Sequence, residues 1–171
     1  MARVFISLGS NLGDRLQYIQ RAVEAIQKVA STRIKTVSSV YETEPVEKKN
    51  QPEFLNATAE LDTTVEARQL FRALKGIEQS LGRTSTERWG SREIDLDLLY
   101  YGADVLAEAE LTVPHPEIHK RRFVLVPLAE IAGEFIDPAA NQSLTQLLDR
   151  CTDTSMVKKT SFTVKIQMQE S

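Results

Sequence analysis

The stretch Arg88-Trp89-Gly90-Ser91-Arg92-Glu93-Ile94-Asp95-Leu96-Asp97-Leu98-Leu99 organises the reading of the chain. Its second half reads as a strand. Alternation puts Asp95 and Asp97 on one face and Ile94, Leu96 and Leu98 on the other. At a rise of roughly 3.3 Å per residue the two carboxylates are rooted about 6.6 Å apart. Two acids side by side repel, and a hard cation relieves the repulsion; Mg²⁺ takes carboxylate and water oxygens. Just upstream stand Arg88, Arg92 and Trp89, the only tryptophan of the chain. Guanidinium forks suit phosphate, and an indole offers a flat face. Each feature alone has an ordinary reading: Asp-x-Asp as the polar face of a strand, the arginines as solvated side chains. Their conjunction favours a site for a metal and a polyphosphate.

Working back from this strand, Leu70, Leu74, Ile77 and Leu81 form the stripe of a helix that Thr64 caps and Gly82 ends. Before it, Phe54 to Leu61 reads as a strand. Phe54, Asn56, Thr58 and Glu60 share one face; Leu55, Ala57, Ala59 and Leu61 share the other. An aromatic beside an amide suits a flat polar heterocycle, while an edge-strand Phe covered by a loop explains Phe54 equally well. Ile34 to Tyr41 is a further strand. The long, charged connection from Thr43 to Phe54 has the length that usually marks function. Arg3 to Leu8 is the first strand. Gly9 to Asp14 then turns into a helix capped by Asn11, with Leu16, Ile19, Val23 and Ile26 as its stripe. This turn lacks the Gly-Lys-Ser/Thr ending of a phosphate loop. The order strand, helix, strand, strand, helix, strand predicts an α+β, ferredoxin-like β-α-β-β-α-β sandwich, its sheet mainly antiparallel and both helices on one face.

Downstream, Pro114 and Pro116 rule out a regular helix at His115, so the His115/His119 spacing does not make a zinc pair; a rigid Pro-His-Pro loop holds one donor in place. Lys120, Arg121 and Arg122 form a second basic cluster. Phe123 to Ile131 is apolar enough to be buried, and Ser143 to Arg150 reads as a short helix. Residues 152–171 are unassigned apart from an alternating Phe162-Val164-Ile166 that predicts an edge strand.

With 171 residues the chain is expected to be a single domain, 1–171. A net charge of −3 argues against bulk attraction to nucleic acid. One cysteine, Cys151, excludes an internal disulfide and a thiolate metal cage. No apolar run of about 18 residues suggests a membrane span, and no signal peptide is read, so a cytoplasmic monomer without membrane partners is expected.

Gly9-Ser10-Asn11-Leu12-Gly13-Asp14, Tyr41-x-Thr43-Glu44-Pro45, Gln51-Pro52-x-Phe54-Leu55-Asn56-Ala57, the Arg88–Leu99 stretch, and Val113-Pro114-His115-Pro116 with Arg121 and Phe123 occur in this order. As an ordered set the chain resembles the 6-hydroxymethyl-7,8-dihydropterin pyrophosphokinases of folate biosynthesis, over roughly residues 2–150. The resemblance implies Mg²⁺-dependent transfer of a pyrophosphoryl group from ATP to the pterin's hydroxymethyl oxygen, giving the pterin diphosphate and AMP. It implies that Asp95 and Asp97 hold two Mg²⁺ ions, and that Arg92, His115 and Arg121 join them as catalytic residues. Phe54, Phe123, Asn56, Trp89 and the segment Thr43, Glu44, Pro45, Val46 would bind the pterin. Glu78, Arg83, Arg88, Trp89, Arg92, Leu98, Thr112, His115 and Arg121 would bind ATP. The polar loops Glu47 to Pro52 and Arg83 to Ser91 are expected to close over substrates. The sequence departs from relatives in its neutral Thr84-Ser85-Thr86 and in Glu47, where a glycine is common. A ferredoxin-like module that binds a metabolite or RNA without catalysis, or a kinase transferring only the γ-phosphate, are the alternative readings.

Overall fold

A computed structural model describes residues 1–46, 50–82 and 93–167. In chain order it contains β1 (Ala2–Ser10), α1 (Arg15–Gln27), β2 (Thr32–Val37), β3 (Tyr41–Thr43), β4 (Phe54–Thr63), α2 (Ala67–Ser80) and β5 (Asp95–Tyr101). There follow β6 (Leu106–Ala107), β7 (Thr112–Val113), a single 3₁₀ turn at Ile118–Lys120, α3 (Arg122–Ala132), β8 (Ile136–Asp137), β9 (Gln142–Ser143), α4 (Leu144–Arg150) and β10 (Val157–Lys159). The main sheet runs β10-β3-β4-β1-β5, with β2 also paired to β4, and all its pairings are antiparallel. This is the expected split β-α-β order.

Strands β1 and β5 divide their side chains between two cores, and β4 contributes to the first. Val4, Ile6 and Leu8 of β1, Leu55, Ala57, Ala59 and Leu61 of β4, and Ile94, Leu96 and Leu98 at β5 pack under α1 and α2. The other face holds Phe5, Leu99 and Tyr100 against Val124, Leu125 and Leu128 of α3 and Leu144 and Leu147 of α4. The first two helices share one face as predicted. The second face is also covered, because the apolar run from Phe123 forms α3, with Pro127 inside it. A helix apolar on most sides shows no stripe, so periodicity does not reveal it.

Local expectations need four corrections. Asp14, not Asn11, caps α1, its carboxylate accepting from Gln17 N at 3.2 Å. Asn11 is committed elsewhere: its amide donates to Gln51 Oε1 at 2.9 Å and to Pro52 O at 3.0 Å. Nor does Thr64 cap α2; the N-cap is Glu66, without a side-chain bond. Strand β4 runs on to Thr63, and Thr64 N donates to Ser31 O. The strand expected over 34–41 splits into β2 and β3, because Ser38 Oγ takes the Thr58 N–H that a strand carbonyl would otherwise receive. Finally, the edge strand is Val157–Lys159 rather than 162–166. Residues 165–167 lie instead along α1, where the side chains of Gln20 and Gln27 bond the main chain of Lys165 and Gln167.

Leu74 is fully buried in the α1–α2 core. Leu74→Ala is expected to cost about 2–5 kcal/mol in urea unfolding, whereas Leu12→Ala, at a position 38% exposed, should stay within about 0.5 kcal/mol of the parent.

Candidate active site

Strand register assembles the site. Across the sheet, Asp95 stands opposite Gly9, Gly9 opposite Asn56, and Asn56 opposite Tyr41. One row further along, Asp97 faces Ser7 and Ser7 faces Thr58. Directly opposed residues share a face, so the acid pair and the Phe54/Asn56 pair sit on one surface, separated only by β1. Gly9 is the floor between them. A Cβ there would come within 2.7 Å of Asn56 Oδ1 and 3.8 Å of the Phe54 ring. The first motif thus has a spatial role that its reading as a turn did not reveal. Gly9 clears the floor and Asn11 grips Gln51 and Pro52. Gly13 takes a φ of +72°, and Asp14 starts the helix.

Asn56 is buried and donates from Nδ2 to Thr43 Oγ1 at 2.6 Å, which fixes the amide orientation. Thr43 and Pro45 are buried, Glu44 and Val46 half-buried, and Phe54 half-buried at the start of β4. Phe123 lies in the first turn of α3, half-buried, with the Arg121 guanidinium 5.6 Å from its ring centroid.

On the acid side, Asp97 is pushed up from 3.8 to about 7, first by burial and then by the charge of Asp95; Lys75 and Arg121 oppose the rise. Glu78, 1% exposed, accepts from Leu96 N at 2.7 Å and pairs with Lys75 at 3.3 Å. Lys75 Nζ in turn donates to Leu96 O at 3.3 Å. These two side chains of α2 therefore occupy the main chain of the residue between the two aspartates. Lys75 carried no signal in the sequence beyond its place one turn before Glu78. His115 is pushed down to about 4, chiefly by burial and also by Arg121. Its main-chain N donates to Leu99 O at 2.9 Å and its Nδ1 accepts from Glu117 N at 3.2 Å. A ring that accepts at Nδ1 and stays neutral carries its proton on Nε2, so His115 offers one donor.

Two expected ATP contacts, Leu98 and Thr112, differ in exposure. The Leu98 side chain is buried under α1 and α2, 3% exposed. What it can present is main chain: residues two apart direct their N–H and C=O to the same side, so Leu98 shares the outer edge of Leu96. Thr112 is exposed on β7. Arg83, Arg88, Trp89 and Arg92 lie outside the described residues, as do the loop Arg83 to Ser91 and residues 47–49 of the loop before Pro52. Among the described residues no group of three or more His, Cys, Asp or Glu is placed to hold a metal ion. The donor set is a pair of carboxylates. It suits a cation such as Mg²⁺, which takes one or two carboxylates and fills its remaining positions with waters and phosphate oxygens.

The sheet order and the acid pair on its edge strand define a ferredoxin-like domain with a polar site at one end of the sheet. The family model of 7,8-dihydro-6-hydroxymethylpterin-pyrophosphokinase (HPPK) matches residues 5–133. A 2-amino-4-hydroxy-6-hydroxymethyldihydropteridine pyrophosphokinase of Haemophilus influenzae is 37% identical over 158 residues, 92% of this chain and 98% of the relative. One of the same name from Bacillus subtilis is 40% identical over 142 residues, 83% of this chain and 85% of the relative. Among solved structures, Plasmodium falciparum HPPK-DHPS aligns with a TM-score of 0.68 at 15% identity, over 87% of this chain and 44% of that one. The chain spans less than half of that structure, and the likeness is one of fold. The chain belongs to the 7,8-dihydro-6-hydroxymethylpterin-pyrophosphokinase family.

Because the folded protein holds a proton on Asp97 that the unfolded chain releases, stability should fall as pH rises from about 3.8 to about 7. Asp97→Asn is therefore expected to raise the Tm of the ligand-free protein at pH 8, with the gain vanishing near pH 4. Scanning calorimetry at the two pH values measures this; a Tm at pH 8 equal to or below the parent's would show that the acid pair carries no such repulsion.

Proposed function

We propose that this chain transfers the pyrophosphoryl group of ATP to the hydroxymethyl oxygen of 6-hydroxymethyl-7,8-dihydropterin, releasing AMP, and that it does so with Mg²⁺ held at Asp95 and Asp97. The observation that carries the reading is the shared surface: the acid pair and Asn56 lie in register on adjacent rows, divided by the side-chain-free Gly9.

Asn56, its amide oriented by Thr43, reads the polar edge of the pterin, together with the main chain of Thr43 to Val46. Phe54 and Phe123 provide flat faces for the ring. On the phosphate side, Arg121 and the neutral, Nε2-protonated His115 donate to the migrating phosphates, and Arg83, Arg88, Trp89 and Arg92 complete the nucleotide pocket. Bound Mg²⁺ supplies neutralising charge and a fixed alignment of the attacking and leaving oxygens. Glu78 contributes indirectly by locking Leu96, and with it the spacing of the two aspartates, through the bonds to its main chain. Phosphoryl-type transfer asks little covalent work of a protein; positioning and charge screening suffice. We further propose that the chain acts as one domain, as a monomer, in the cytoplasm.

The product decides between this reading and a simple kinase. With Mg-ATP and the hydroxymethyl dihydropterin, nucleotide chromatography should show AMP in one-to-one ratio with a pterin diphosphate. ADP as main product would move the chemistry to the γ-phosphate, and no turnover would favour a binding module. Asp97→Asn should lower turnover by at least about a thousandfold, some 4 kcal/mol of barrier, while the circular dichroism spectrum stays that of the parent. Activity within about tenfold of the parent would remove Asp97 from the metal site.

Gly9→Ala tests the floor. The added methyl must displace Asn56 from Thr43. Pterin affinity is expected to fall by roughly one hydrogen bond to a buried group, about 1–3 kcal/mol, with nucleotide affinity unchanged. Calorimetric titration of each ligand separates the two.

A further inference from the structure

The segment from Asp153 to Thr160 lies beyond the matched region 5–133 and touches both sides of the proposed pterin site. Its first contact is with α3. The N-cap of that helix, Arg121, makes no side-chain capping bond. The cap comes from the tail: Asp153 Oδ2 accepts from Arg122 N at 3.0 Å. Asp153 is itself held from its other oxygen, Oδ1, by Ser155 N at 2.9 Å and by the Ser155 hydroxyl. Burial works to raise the pKa of this carboxyl, and the bonds from Ser155 and Arg122 outweigh it, keeping it ionised.

Three residues on, the same segment takes hold of the opposite wall. Met156 N donates to Glu44 Oε1 at 2.7 Å, and Glu44 N donates to Met156 O at 3.3 Å. Strand β10 then continues the grip, with Val157 opposite Thr43 and Lys159 opposite Tyr41. Thr160 closes it, its N and Oγ both donating to Val40 O, at 2.9 and 2.8 Å. One wall carries Arg121 and Phe123; the other carries Thr43, which orients Asn56, and Glu44.

We infer that Asp153 is a positioning residue for pterin binding: it caps α3 from the tail and so fixes Phe123 and Arg121 at a set distance from the Thr43–Val46 segment that the same tail holds. A cap on a helix is an ordinary stabilising device. This one is unusual in that its donor lies on a segment whose next residues pair with the facing wall. Loss of the cap should therefore be felt first in the gap between the walls, and less at the acid pair, which Arg121 alone of this wall reaches by its charge. The inference rests on the pterin assignments proposed above.

The test is equilibrium binding of the full chain to 6-hydroxymethylpterin, followed by its fluorescence, with a non-hydrolysable ATP analogue and Mg²⁺ titrated separately. Asp153→Ala should raise the pterin Kd about tenfold and the nucleotide Kd, through Arg121, by a smaller factor of about threefold. Asp153→Asn keeps an oxygen acceptor for Arg122 N and should restore the pterin Kd to within about threefold of the parent. Should Asp153→Ala fail to fold, Ser155→Ala loosens the carboxylate without touching either wall, and a rise of about threefold in the pterin Kd alone is expected. Unchanged pterin affinity in these variants overturns the inference, as does an equal loss of both ligands, which would mean general destabilisation. A parent protein that binds no pterin at all would overturn the functional reading and this inference with it. A parent that binds pterin normally beside an unaffected Asp153→Ala variant would overturn the inference alone.

Discussion

Repulsion between Asp95 and Asp97 is the constraint around which the site is built. A strand offers no way to relieve it, since residues two apart must share a face. The protein compensates only in part: Lys75 and Arg121 pull the Asp97 pKa down, yet burial and Asp95 still raise it to about 7. The main chain of the strand that carries the two acids is held from both edges. Strand β1 holds one edge of β5. Glu78 and Lys75 bond both main-chain groups of Leu96 from the other. On the proposed reading, that unfavourable charge is what a bound cation would relieve.

Much of the fold was legible because the strands and the first two helices follow simple periods. The alternation in Phe54 to Leu61 and in Ile94 to Leu99, and the stripes of α1 and α2, each state which side is buried. What escaped was set by tertiary contacts. Asn11 has the chemistry of a helix cap, but it finds better partners in Gln51 and Pro52, so the cap passes to Asp14. Ser38 looks like a strand residue, yet its hydroxyl takes over a main-chain bond and divides the strand. The alternating Phe162-Val164-Ile166 has the period of a strand, but the glutamines of α1 bond the main chain nearby at Lys165 and Gln167. Residues 157–159 fill the sheet edge instead.

The candidate site divides in the same way. Residues whose chemistry is conspicuous, the aspartates, Asn56, Arg121 and His115, are proposed from type, spacing and resemblance. Residues that act by position are not. Gly9 matters because it has no side chain at one register position. Lys75 matters because α2 aims it at the strand. Glu78 is linked to ATP by resemblance, and its buried carboxylate bonds Leu96 and Lys75. None of these three roles exists until β5 is placed beside β1 and under α2.

One irregularity lets a single sheet face serve two purposes. Strands β1 and β5 pair Ile6 with Leu98 but Phe5 with Tyr100, leaving Leu99 as an extra residue. Such a bulge inverts the alternation beyond it. Without it, Asp95, Asp97 and Leu99 would share their face with Tyr101, and Tyr100 would turn toward α1 and α2. With it, Leu99 and Tyr100 both enter the core beneath α3 and α4, where the Tyr100 hydroxyl donates to Asp137 at 2.6 Å. The carbonyl of the extra residue is accordingly available, and it accepts the main-chain N–H of His115. The bulge therefore adds Tyr100 to the apolar end of the acid face beside Leu99 and, by the same stroke, anchors the histidine beside the acids. A strand of strict period two would have to give up either the packed aromatic core or the histidine's anchor.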